Sequence, residues 1–231
     1  MSQAGVVTRL AVRELWITFR LVVLLVAFVA VGATVALLPA PLPVTMQRFA
    51  AGLGAATLLV GATAAWSIAD ERADGRAGWL VTRSVSRGTL LGGWFVALTS
   101  IALAGLAAAA VLGWLAASGV SLRLDAAAYA ALLGAVAATV AADVALGLLF
   151  GTVFGAHAAA VATILLGIVL VAVAWLLPVG GLVPGAAFLE LATLTESPVS
   201  LADAWRAAGA SLLAAALLLG LARRALSRAE L

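Results

Sequence analysis

The chain contains no cysteine and no lysine, and His157 is its single histidine. The first absence excludes disulfides, thiol catalysis and thiolate metal sites, and the lone histidine excludes a multi-histidine metal centre within one chain. The missing lysine removes the Gly-Lys-Ser/Thr end of a phosphate-binding loop, so a standard nucleotide-hydrolysing site is not expected here. No cofactor is therefore expected in this chain. Charge is scarce too: 10% of the 231 residues are charged, against 65% that are hydrophobic. A soluble globular domain does not have that balance. All thirteen basic residues are arginine and lie mainly at the ends of apolar segments. That distribution argues for orientation in a lipid bilayer and against nucleic acid.

What remains is mostly hydrocarbon. Six apolar runs, at 17–38, 49–68, 88–115, 126–150, 158–177 and 201–222, are each long enough to cross a bilayer core of roughly 30 Å as helices. The expected fold is all-α: a polytopic membrane protein with six transmembrane helices in a single domain over 1–231. Placing both termini in the cytoplasm puts ten of the thirteen arginines inside and leaves Arg48, Arg123 and Arg206 outside, a strong positive-inside bias. Trp16, Trp66 and Trp94 then fall at inner ends, and Trp114, Tyr129, Trp175 and Trp205 at outer ends. In residues 6–20, Val7, Ala11 and Leu15 lie opposite Arg9, Arg13 and Arg20, so a helix lying along the interface and a plain extension of the first span both fit. Pro39, Pro41 and Pro43 end that span. The segment 179–203 is expected to form a structured outer loop with a short apolar helix within 184–193, and Ser200 with Asp203 to cap the last span.

Two groups of residues are candidates for function. The stretch 70–87, DERADGRAGWLVTRSVSR, holds seven ionisable residues between two apolar runs. It must face water. Its centre, Trp79, Leu80 and Val81 flanked by Arg76 and Arg83, reads as a short amphipathic helix that either rests on the headgroups or docks a soluble partner. Ser86 is placed to cap the helix that follows. The second group is Asp143, Gly147, Gly151 and Gly155, which recur every four residues and so share one stripe at the inner end of the fourth span. That spacing fits tight helix packing, and an acid inside a span also fits a polar site on a substrate path.

The run Glu71-Arg-Ala-Asp-Gly75, then Trp79-Leu80-Val81-Thr82-Arg83-Ser84-Val85-Ser86-Arg87 and Leu90-Leu91-Gly92, resembles the loop between the second and third spans of type-2 ABC exporter permeases. The six runs, the amphipathic lead-in, the loop before the last span and the basic tail at Arg223, Arg224 and Arg228 extend the resemblance along the whole chain. Ser84 stands where the family often has proline, and Gly93 where a lysine often follows the glycine. The resemblance implies a permease in the cell membrane of a bacterium, with the 70–87 loop as a coupling helix on a separate ABC ATPase subunit that binds the ATP. It also implies a second permease subunit, either another copy or a relative. Two other classes stand beside this one: a membrane sensor or assembly factor without transport, and an intramembrane enzyme using Asp143, His157 or Glu190. The six-span layout scatters those three residues and so counts against the enzyme.

Overall fold

The computed structural model describes residues 3–38, 40–75, 85–119, 125–176, 182–195 and 200–228. Among them every regular element is helical: α1 (Gln3–Ile17), α2 (Arg20–Leu37), α3 (Leu42–Ala73), α4 (Arg87–Gly119), α5 (Ala126–Val153), α6 (Ala156–Leu176), α7 (Ala186–Ala192) and α8 (Leu201–Arg228). Five of these are long and apolar enough to cross a membrane, and a sixth span results if α1 and α2 count as one broken helix. Arg76, Trp79, Leu80 and Arg83 lie outside the described residues.

The first two helices meet at a bend of 76°. Val7, Ala11 and Leu15, four residues apart, are buried on one side of α1, while Arg9 and Arg13 are exposed on the other. The lead-in is therefore a separate amphipathic helix and not an extension of the span. At the bend Phe19 adopts a left-handed backbone with φ 57°. The Thr18 amide and hydroxyl both donate to the Glu14 carbonyl, at 3.0 and 2.8 Å, which closes the end of α1. The prolines do more than stop the first span. Pro41 caps α3 and Pro43 sits in its first turn, where a missing amide proton costs nothing because that turn has no partner for it.

Helix α5 is the most enclosed, with 78% of its spanning stretch buried against 22% for α6. Small residues make this possible. A Cβ on Gly61 of α3 would stand 2.8 Å from the Asp143 carbonyl oxygen, and one on Gly147 or Gly151 would collide with the carbonyls of Gly61 and Ala65. The α3 and α5 backbones therefore touch along this seam, which only glycine permits at those points. Gly155 does not belong to it: it lies beyond the end of α5 at Val153, and nothing approaches its Cβ position within 4 Å. The four-residue stripe thus ends at Gly151, because the helix itself ends first.

Two of the expected interfacial aromatics are core residues. Trp94 is 3% and Tyr129 5% exposed. Tyr129 donates to the Ala110 carbonyl at 3.0 Å and packs on Trp114 with ring centroids 5.5 Å apart. A buried phenol needs such an acceptor. Trp16, Trp175 and Trp205 are largely exposed, in keeping with an interfacial or lipid-facing place. The short helix expected within 184–193 is present as α7. The Ser200 carbonyl accepts from the Asp203 and Ala204 amides, whereas the Asp203 carboxylate takes the Arg206 guanidinium at 2.7 Å.

Candidate functional site

The two stems of the 70–87 stretch are fixed to other helices. On the first stem Asp70 forms a 2.8 Å ion pair with Arg20, the first residue of α2, whose guanidinium also donates to the Ser67 hydroxyl at 3.1 Å and lies 5.9 Å from the Trp66 ring centre. Trp66 in turn packs on His157 at the start of α6, with ring centroids 4.5 Å apart. Two residues beyond Asp70, Arg72 donates to the Gly151 carbonyl at 2.9 Å. Gly151 is in the last turn of α5, where carbonyls have no partner within the helix, so the arginine satisfies one of them and meets the negative end of the helix dipole. Glu71 is 8% exposed between these two contacts in sequence. Gly75 then ends α3 with φ 70° and donates its amide to the Arg72 carbonyl at 3.2 Å, the left-handed cap that favours glycine.

The second stem begins α4. Ser86 caps it as expected, its hydroxyl oxygen accepting from the Thr89 amide at 3.0 Å. Arg87 donates to the Ser227 carbonyl at 2.6 Å, closing the last turn of α8 as Arg72 closes that of α5. The Arg223 side chain lies over Gly88. A few residues on, α1 packs against α4 so closely that a Cβ on Gly93 would collide with Val7 and approach the Thr8 amide nitrogen to 3.1 Å. The glycine at 93, where the resembled family often has lysine, is required by that contact.

The serine cap was legible in the sequence, and the arginine contacts were not. Arg72 and Arg87 read as membrane-orienting charges or partner contacts, yet both bind backbone carbonyls. Carbonyl acceptors carry no residue-type signal. Only the Arg20–Asp70 pair had one, opposite charges at facing ends of successive apolar runs.

The second group divides. Gly147 and Gly151 pack; Asp143, 6% exposed, instead lines a cavity with Thr57 and Thr139. Thr139 bonds to the Ala135 carbonyl at 3.1 Å and to the Ser211 hydroxyl of α8 at 3.2 Å. His157 is at the arginine-rich end and Glu190 in α7, so Asp143, His157 and Glu190 occupy three separate places. Among the described residues no three His, Cys, Asp or Glu side chains group as metal ligands.

These features define an all-helical protein with five to six helices of membrane-spanning length and a dense set of contacts at its arginine-rich end. Neither a family model nor a curated protein matches the chain.

Proposed function

We propose that the chain is the permease subunit of an ATP-binding cassette exporter, coupled through residues 70–87 to a separate ATPase in a bacterial cell membrane. The observation that carries this reading is the anchoring of both stems: Asp70 to α2, Arg72 to α5 and Arg87 to α8. A displacement of the segment between the stems is transmitted directly to helices that are far apart in sequence. That is what a coupling element requires, and a loop that only rested on headgroups would have no use for it. The bent α1–α2 pair, with α1 seated on α4 beside the second stem, and the short α7 helix before the last span also agree with the resemblance to type-2 ABC exporter permeases.

In this reading the partner hydrolyses ATP and pushes on Trp79, Leu80 and their flanking arginines. The rigid α3–α5 seam moves as one piece, and a second permease subunit completes the path. The test is affinity purification of the chain from its native membrane in mild detergent, with ATP hydrolysis measured on the product. A P-loop ATPase recovered in stoichiometric amount supports the proposal. A correctly inserted chain that brings no such subunit, or one that alone binds ATP stoichiometrically, refutes it.

A further inference from the structure

A cavity of about 590 Å³ lies between α3, α5, α6 and α7, within the usual size range of small-molecule sites. Its walls are almost wholly apolar, from Ala50, Gly54, Leu58, Val171 and Phe188 among others. Gln47, Thr57, Thr139 and Asp143 are among its lining residues. Along α3 the lining extends from Gln47 to Leu58, and the ten residues from Gln47 to Thr57 cover about 15 Å at 1.5 Å per residue. Among the described residues no basic side chain lines it. The threonine hydroxyls in its wall are already committed, Thr57 donating to the Gly54 carbonyl at 2.9 Å and Thr139 to the Ala135 carbonyl.

Asp143 is thus a buried carboxyl group in the wall of an apolar chamber, with no basic side chain among the described lining residues. An acid in that setting is costly unless a positive charge or strong donor reaches it. We propose that this cavity binds a cationic amphiphile, with its ammonium group against Asp143 and its apolar body along the walls up to Phe188. An anionic head is repelled by the carboxylate, and a neutral one leaves it uncompensated. The lining residues all belong to one chain and the site needs no ATPase, so it stands or falls separately from the coupling proposal.

The test uses the purified 231-residue chain in nanodiscs of zwitterionic lipid. Dodecylamine and dodecanol, which share a tail and differ in the head, are titrated while tryptophan emission is recorded. Trp175 lines the cavity, and a Trp175→Phe variant identifies its share of the signal. Saturable binding of the amine at least tenfold tighter than of the alcohol is expected, and Asp143→Asn should remove that preference. A second variant, Gly54→Leu, fills the chamber without touching the carboxyl; a Cβ there meets only Phe188, at 3.9 Å. It should weaken the amine at least tenfold. Equal binding of amine and alcohol by the unaltered chain, or no saturable Trp175 signal, overturns the proposal. So does amine binding unchanged in a folded Asp143→Asn or Gly54→Leu protein.

Discussion

Arg72 and Glu190 show how differently a charge behaves at the two ends of this bundle. Arg72 closes the Gly151 carbonyl across 79 residues of sequence. Arg72→Ala leaves that acceptor unpaired at a helix end, and the expected loss is about 1–2 kcal/mol, read as a lower unfolding midpoint in detergent. Glu190 has the opposite problem. One of its carboxyl oxygens is buried without a hydrogen-bond partner, and desolvation, aided by the nearby Asp203 charge, holds its pKa above the ordinary glutamate value. A carboxyl group whose folded-state pKa is raised stabilises the fold fully below the unfolded pKa, and this contribution is lost as pH rises through the folded one. The loop that carries α7 should therefore be best docked at acid pH and loosen towards neutrality, and Glu190→Gln should abolish that dependence. Proteolysis of the loop against pH measures both. The sequence offered no sign of either behaviour, since burial of a loop glutamate depends on how α7 lies against α3. Ser86 was legible because a cap acts on its own next turn.

Among the elements, α1 was the easiest to read and its bend the hardest. Val7, Ala11 and Leu15 repeat at four-residue intervals and are the buried face, but Thr18 and Phe19 contain neither glycine nor proline to mark a break. The α3–α5 seam was legible in part. Glycines every four residues announce close packing, whereas the end of α5 at Val153, which removes Gly155 from the seam, follows from tertiary structure. This gives a paired prediction. Gly147→Leu should force the backbones apart and cost roughly 2 kcal/mol or more, and Gly155→Leu, on an exposed residue, should stay within about 0.5 kcal/mol. Thermal unfolding of the two variants in the same detergent tells them apart. Equal losses would mean that the seam is not where the close contact lies.

At the scale of the molecule, the alternation of charge and apolar runs was enough to foresee helices of membrane-spanning length, but the contacts of Arg72 and Arg87 that join their ends could not be foreseen, because both run to backbone carbonyls. The cysteine-free chain makes orientation simple to test. Single cysteines at Ser84, Thr195 and Ser227, treated with an impermeant maleimide on intact cells, should react only at 195 if the arginine-rich end faces the cytoplasm. Labelling at 84 would remove the 70–87 stretch from reach of any cytosolic ATPase. Coupling itself is tested most directly by replacing Trp79 and Leu80 together with alanine. If they anchor the partner, their loss should cost about 2 kcal/mol or more of binding. The measurement is recovery of the ATPase subunit and of ATP hydrolysis with the purified chain, variant against unaltered. The account predicts a folded, inserted chain from which the ATPase is lost; an ATPase retained at the unaltered level would contradict it.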